Sequence, residues 1–142
     1  MSTDYLVHGA AMADPSQPTK WQVHRGGQGV YIKPSTATAQ TGTFFVPLQI
    51  IPGLKVTQLI IDSVTGANAA ITKIELFTAE IQGSAWTVDQ PSELARLASS
   101  SPVKFPISNM TAARPLAIGI TVAFGSSGHP FRLLGAGVTL GP

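Results

Sequence analysis

The three histidines are the side chains of this sequence with the widest chemical range, because an imidazole can bind a metal ion or move a proton near neutral pH. They are His8, His24 and His129. Their spacing matches no zinc motif, and no carboxylate close to them in the sequence is an evident partner for a ligating imidazole. We therefore interpret them as ordinary residues at strand ends and predict neither a metal site nor a cofactor.

The segment from Arg25 to Gly29, Arg-Gly-Gly-Gln-Gly, has the glycine content of a phosphate-binding loop. A loop of that kind also needs a strand before it and the N-terminus of a helix after it. The residues that follow, from Val30 to Lys33, are β-prone. The glycines are therefore interpreted as a hairpin turn, or as a strand that carries a bulge.

The nucleophiles and acids of the chain form no recognisable catalytic group. The sequence has no cysteine, which excludes disulfides and thiolate chemistry, and it has 7 aspartates and glutamates in total. No Gly-x-Ser-x-Gly motif occurs, and no Ser/His/Asp grouping has a supporting context. Asp62 and Glu75 fall on neighbouring predicted strands, but a glycosidase pair also needs a cleft between its carboxylates. We predict that the protein is not an enzyme and has no catalytic residues.

Aromatic side chains offer a different chemistry, because their rings combine an apolar face with a polar group and can stack on sugars. Trp21 is expected to pack in the core. Trp86 follows Gly83-Ser84-Ala85, which has the composition of a loop. We name Trp86 and Tyr31 as candidate residues for stacking on a sugar, which makes glycans a candidate partner.

The composition is unusually poor in charge. Charged residues make up 11% of the chain, against about 25% in a typical soluble domain, and the mean hydropathy is +0.23. Either other subunits cover much of the surface, or Ser, Thr, Gln and Asn keep it hydrated. We favour the first explanation and predict that the chain is its own partner in a homo-oligomer.

The distribution of charged and apolar residues argues against two classes of partner. The 9 lysines and arginines are scattered singly, whereas nucleic-acid binding clusters them, so no nucleic acid is expected. No apolar run approaches the roughly 18 residues of a membrane span. The first residues have no basic region followed by an apolar stretch, so no signal peptide is visible, and the expected location is the cytoplasm or a particle assembled there.

Glycine (14 residues) and proline (11 residues) interrupt the sequence at short intervals, between runs rich in Val, Ile, Phe and Thr. This pattern is typical of many short strands joined by turns. The predicted strands are Tyr5–Ala11, Trp21–His24, Val30–Lys33, Thr43–Ile51, Leu54–Val64, Ile71–Ala79, Leu116–Phe124 and Phe131–Leu140. Pro47 removes a backbone donor, which places its strand at a sheet edge or at a bulge. A single helical turn is expected within residues 89–98. We predict one all-β domain over residues 1–142, a two-sheet antiparallel sandwich that is jelly-roll-like with about eight strands.

The predicted strand Leu116–Phe124 alternates most clearly between large and small side chains. One face carries Leu, Ile, Val and Phe only. The other face carries small residues, which implies that another surface packs closely against it. These residues, the candidate interface of the oligomer, are Ala117, Gly119, Thr121 and Ala123.

The order of several motifs resembles a family of uncharacterised bacterial and fungal all-β domains. The similar segments are His8–Ala11, His24–Gly29, Phe44–Pro47, Ala117–Phe124 and Leu134–Gly137. Two features depart from the family pattern: Gln28 stands where an aromatic residue is frequent, and the closing strand lacks its terminal aromatic residue. The family has no established activity, so the resemblance implies a sandwich fold and no function.

Three functions are compatible with this fold, and fold does not decide between them. The first is a non-enzymatic structural or interaction module that self-associates into a homo-oligomer or a larger assembly. The alternative is a carbohydrate-binding, lectin-like module. The third is a coat or decoration protein of a virion.

Overall fold

The computed structural model describes residues 2–50, 53–66, 69–78, 82–99, 102–111, 115–125 and 130–142. Short strands dominate these ranges, as the glycine and proline spacing predicts. The strands are β1 (Thr3–His8), β2 (Trp21–Gly26), β3 (Gly29–Pro34), β4 (Gln40–Leu48), β5 (Lys55–Thr65), β6 (Ala69–Thr78), β7 (Ser84–Val88), β8 (Val103–Thr111), β9 (Leu116–Phe124) and β10 (Phe131–Gly141). The helical elements are α1 (Pro91–Leu94), α2 (Arg96–Ser99) and the 3₁₀ turns Gly9–Ala11 and Pro18–Lys20.

The strands form two antiparallel sheets. The six-stranded sheet has the order β2-β3-β10-β5-β8, with β1 also paired to β10, and the four-stranded sheet has the order β4-β9-β6-β7. From β3 to β10 the chain changes sheet at each step except between β6 and β7. Eight strands connected in this way form a jelly roll. The predicted all-β antiparallel sandwich is therefore confirmed.

The eight strands predicted from the sequence only partly coincide with the eight strands of the jelly roll. β7 and β8 were not predicted, and β1 and β2 are additions before the jelly roll begins. Pro106 interrupts the β-prone pattern of β8, and it is accommodated because β8 is an edge strand. The first predicted strand ends early, since Gly9–Ala11 forms a 3₁₀ turn. Two predicted strand ends, Ile51 and Ala79, lie outside the described residues.

The alternation in β9 places its large side chains in the core between the sheets. Ile118, Ile120 and Val122 are fully buried, and the small residues between them face outward. Trp21 packs edge-on against Phe44, with ring centroids 5.1 Å apart, so its predicted place in the core is confirmed.

Pro47 lies on β4, an edge strand of the four-stranded sheet, as its missing donor predicts. The exposed side of β4 takes one backbone hydrogen bond from outside the sheet, from the N–H of Ala13 to the carbonyl of Phe45 at 2.8 Å.

The glycine-rich segment is a hairpin turn between β2 and β3, one of the two predicted forms. Gly26 pairs with Gly29 across the turn, and Gly29 has a positive φ of 97°. A Cβ on Gly29 would overlap the carbonyl oxygen of Leu133, so a side chain is excluded for a second reason. Nδ1 of His8 accepts from the N–H of Ala10 at 3.1 Å, and its Nε2 therefore donates to the carbonyl of Gly27, also at 3.1 Å. His8 thus connects the end of β1 to the hairpin.

No helix in the described part of the chain has the length and apolar character needed to cross a membrane.

Candidate functional site

A row of four side chains crosses the outer face of the six-stranded sheet. His24 on β2 pairs with Tyr31 on β3, Tyr31 pairs with Arg132 on β10, and Arg132 pairs with Val64 on β5. Paired residues on neighbouring strands point to the same face of a sheet. The residues on either side of Tyr31 are completely buried, so this row faces solvent.

The guanidinium of Arg132 lies over the ring of Tyr31, with its Cζ 4.8 Å from the ring centroid. This is the distance of a cation–π contact, which fixes both side chains relative to the sheet. Nη1 of Arg132 also donates to Oε1 of Gln28 at 3.4 Å. Nε of Arg132 is buried and has no hydrogen-bond partner among the described residues. The protein therefore satisfies this guanidinium incompletely.

A depression of about 270 Å³ lies beside the Tyr31 ring. Gln22 and Lys33, which pair with one another in the next row, form part of its wall. The side chains around it offer N–H donors and a phenolic hydroxyl next to an aromatic ring. Its volume is close to the lower end of small-molecule sites, about 300 Å³. We call the following group the Tyr31 site: Gln22, His24, Tyr31, Lys33, Pro130 and Arg132.

Charges at the other end of the same face are paired within the protein. Nζ of Lys104 lies 2.9 Å from Asp4, and the hydroxyl of Thr139 donates to the other carboxylate oxygen of Asp4 at 2.7 Å. At the Tyr31 site the described lining residues and Arg132 include two cations and no carboxylate. Asp62 is on the same face but pairs with Gly135, one row beyond Arg132. The Tyr31 site is thus locally positive.

The two predicted sugar-stacking residues lie apart. Trp86 is on β7, at the opposite edge of the sandwich from Tyr31 and in the other sheet. It lies in a strand and not in a loop, half-buried, with its ring centroid 6.3 Å from that of Phe105. The structure therefore brings Tyr31, and not Trp86, together with polar groups suited to a ligand. Stacking by Trp86 stays a prediction.

The small residues of the predicted interface lie on the outer face of β9, as their alternation indicates. Phe45 and Phe77, from the strands on either side, meet above Gly119 with ring centroids 5.7 Å apart and planes at 60°. A Cβ on Gly119 would come within 2.8 Å of the Phe77 ring. Close packing against the small residues is thus supplied at Gly119 by the same chain. The role of Ala117, Gly119, Thr121 and Ala123 in a homo-oligomer stays a prediction.

The Phe45 and Phe77 rings are less suited to a sugar than the Tyr31 site. Planes at 60° do not form a flat platform, and phenyl rings carry no hydrogen-bonding group.

The remaining sequence candidates do not assemble into a catalytic or metal-binding group in the described part of the chain. His8 has the structural contacts given above, His24 belongs to the Tyr31 site, and His129 lies outside the described residues. No group of three or more His, Cys, Asp or Glu residues suited to a metal occurs within the described ranges. Asp62 and Glu75 face outward from different sheets, so they do not form a carboxylate pair.

Two other depressions lie elsewhere on the described surface. One, of about 390 Å³, lies between the start of β6 and the helices α1 and α2, and its walls are mainly apolar, with Leu94 and Leu97 among them. The other, of about 300 Å³, lies beside β4 above Gly42, and its lining combines Ser, Thr and Gln side chains with Trp21, which is 8% exposed, and Phe45, which is 42% exposed. The Tyr31 site differs from both in that it combines a half-buried phenol ring with two cations, Lys33 and Arg132.

The residues missed by the sequence analysis are those that complete the Tyr31 site, above all Arg132 and Lys33. Arg132 is about 100 positions from Tyr31 along the chain, and no local sequence pattern predicts that the two side chains are in contact. The register of β3 with β10 creates it.

No protein-family model matches the sequence, and no curated protein matches it either. Several solved structures share the fold. A xylan-binding module, CBM15, superposes with a TM-score of 0.53 at 11% identity, covering 97% of each chain. A family 6 carbohydrate-binding module from Clostridium cellulolyticum, in complex with xylose, gives 0.50 at 12% identity, covering 94% of this chain and 95% of its own.

The insecticidal crystal protein Cry2Aa gives a TM-score of 0.52 at 16% identity. The match covers 99% of this chain but only 21% of that protein. At such identities the likeness concerns the fold alone, and it agrees with the two-sheet β-sandwich described above.

Proposed function

We propose that this chain is a non-catalytic carbohydrate-binding module that binds sugar at the Tyr31 site. The observation that carries the proposal is the half-buried Tyr31 ring, which Arg132 holds from one face and which borders a depression with several hydrogen-bond donors. Sugars present apolar C–H faces together with hydroxyl groups. An aromatic ring next to polar side chains is complementary to both.

The rigidity of the site supports this proposal. Tyr31 and Arg132 lie on β3 and β10, which are paired inside the six-stranded sheet. Because the ladder and the cation–π contact already order both side chains, little conformational entropy is lost when a ligand binds. Gln22, His24 and Lys33 then provide the groups that donate to sugar hydroxyls.

The chemistry of the site favours binding over hydrolysis. Glycoside hydrolysis by the common mechanisms needs two carboxylates on either side of the scissile bond. The described lining residues of the Tyr31 site include none. The carbohydrate-binding modules that share the fold lend further support, although what they bind is a property of those proteins.

Affinity electrophoresis and titration calorimetry against soluble xylan, β-glucan, galactan and polygalacturonate test the proposal. Tyr31→Ala is expected to weaken binding about tenfold or more, which corresponds to about 1.4 kcal/mol. Phe45→Ala is the matched control, because it removes an exposed aromatic ring from the other sheet. Binding to none of these glycans, or equal affinities of the two variants, would contradict the proposal.

A further inference from the structure

We propose that the Tyr31 site prefers acidic sugars, whose rings carry a carboxylate or a sulfate, over neutral sugars of the same backbone. This inference rests on the proposed function and specifies the class of glycan that the site takes. It depends on the two cations of the site, Lys33 and Arg132, and on how the protein leaves them without a counter-charge.

Four cations elsewhere on the surface have carboxylate partners, whereas Lys20 and Lys55 have none among the described residues. Arg25 lies 3.0 Å from Asp14, and Lys104 lies 2.9 Å from Asp4. Arg96 and Lys73 pair similarly with nearby glutamates, at 3.3 and 3.6 Å. In a chain with few charges, this pairing leaves little unbalanced charge at those positions.

Lys33 and Arg132 differ from the four paired cations and, unlike Lys20 and Lys55, they lie beside the same aromatic ring. Neither has a carboxylate within ion-pair distance in the described part of the chain. Arg132 contacts the face of the Tyr31 ring and one amide oxygen, at 3.4 Å, while its buried Nε has no hydrogen-bond partner among the described residues. A guanidinium held in this way binds a carboxylate or sulfate oxygen by charge-assisted hydrogen bonds from its accessible Nη groups.

The remaining charged and titratable groups of this face do not cancel that charge at the ring. His24 stands beside Tyr31 and adds a donor. Asp62 pairs with Gly135 on β10, one row beyond Arg132, and lies two strands away from Tyr31. Asp4 is already paired with Lys104 at the far end of the sheet.

A sugar stacked on Tyr31 is therefore flanked by two cations. Arg132 lies on the neighbouring strand, β10, and Lys33 lies in the next row of β3, the strand that carries Tyr31. An acidic group on that sugar makes charge-assisted contacts that a neutral hydroxymethyl group cannot make. Both contacts are near the surface, so the preference must weaken as salt screens it.

The experiment compares acidic oligosaccharides with neutral forms of the same backbone, by calorimetry with the full chain at about 50 and 300 mM salt. Suitable pairs are oligogalacturonate and its methyl ester, and cello-oligosaccharides with and without oxidation at C6. A sulfated galactan oligosaccharide beside its desulfated form separates sulfate from carboxylate. We expect the acidic form of at least one pair to bind about tenfold more tightly at low salt, with a smaller ratio at high salt.

Two variants and one control assign the preference to the site. Lys33→Gln and Arg132→Gln are each expected to reduce the acidic-to-neutral ratio at least threefold. Lys55→Gln removes the same charge at the start of β5, far from Tyr31, and is expected to leave the ratio unchanged. Lys33→Gln also keeps the test valid if Arg132→Gln fails to fold.

The outcomes separate this inference from the proposed function. Equal binding of acidic and neutral forms, abolished by Tyr31→Ala, overturns the acidic preference and leaves the proposed function in place. Binding of neither form at any salt concentration overturns both. A preference that falls equally in Lys55→Gln and Lys33→Gln reflects net charge alone and also overturns the inference.

Discussion

The hydroxyl of Thr139 on β10 donates a hydrogen bond of 2.7 Å to the carboxylate of Asp4 on β1. This contact connects the first strand of the chain to the last. It belongs to a small network in which Lys104 on β8 lies 2.9 Å from the other carboxylate oxygen. The network connects β1 to β10 and β8 within the six-stranded sheet.

The charge of Asp4 is expected to make part of the stability depend on acid pH. The hydrogen bond from Thr139, and after it the contact with Lys104, hold the pKa of Asp4 below its ordinary value of 3.8. Because the folded state favours the charged form, this stabilisation is present above pH 3.8 and is lost as the pH falls through the folded-state pKa. Chemical denaturation, followed from about pH 2 to about pH 7, should therefore show that Asp4→Asn is less stable than the original chain at neutral pH. The difference should disappear at the acid end.

Lys104→Gln is the companion variant for this prediction. It removes the second cause of the shift and leaves the first, so its effect should be smaller than that of Asp4→Asn. A stability difference between Asp4→Asn and the original chain that is the same at every pH would contradict the assigned role.

Gly137 is predicted to be the position at which β10 tolerates a side chain least. It lies between Leu6 on β1 and Ile60 on β5, and a Cβ at this position would overlap the carbonyl oxygen of Tyr5. Since that oxygen belongs to the backbone, β1 has to move away as a whole. We expect Gly137→Ala to lower the free energy of unfolding by about 1–3 kcal/mol and to increase hydrogen exchange in β1.

Gly141→Ala provides the control on the same strand. An added Cβ there meets only a methyl group of Thr57, at the ordinary contact distance of 3.7 Å. Equal unfolding free energies for the two variants would show that β1 does not approach β10 as closely as described.

Trp86 is predicted to contribute to stability more than to binding. Its half-buried ring lies 6.3 Å from Phe105 of the other sheet. Trp86→Ala should lower the free energy of unfolding by about 2 kcal/mol, less than the roughly 3–5 kcal/mol of a fully buried ring. Glycan affinity should stay unchanged, whereas Tyr31→Ala should show the reverse. A folded Trp86→Ala protein that loses glycan binding would restore the role first predicted for this residue.

The fold could be predicted from the sequence much further than the site. In β9 the side chains alternate strictly, and a period of two is a direct sign of a strand with one buried face. β8 also alternates, with Val103, Phe105 and Ile107 buried, but Pro106 obscured that pattern. β7 has only five residues, and its first two, Ser84 and Ala85, are small, so its strand signal is short.

The site depends on pairings between distant strands, which local patterns do not contain. Tyr31 was predicted as a stacking residue from its type. Its contact with Arg132 depends on the register of β10, which shifts between Leu133 and Gly135. A displacement of one residue would turn Arg132 to the other face of the sheet. Because local sequence patterns do not reveal this register shift, they do not predict which side chains surround Tyr31.

The ring pair above Gly119 bears on the remaining hypothesis, self-association through the outer face of β9. Phe45 is 42% exposed, and with Phe77 it stands above the small residues that a second subunit would have to approach. Because the rings already occupy that position, we expect, in place of the homo-oligomer predicted from the composition, that sedimentation velocity at micromolar concentration gives a monomer of 14.8 kDa. If a dimer forms instead, Phe45→Ser should dissociate it. Leu6→Ser, which changes a 57% exposed residue of the other sheet, should not. A dimer lost in Phe45→Ser alone would establish the β9 face as the interface after all, with the phenyl rings and not the small residues as its main contact.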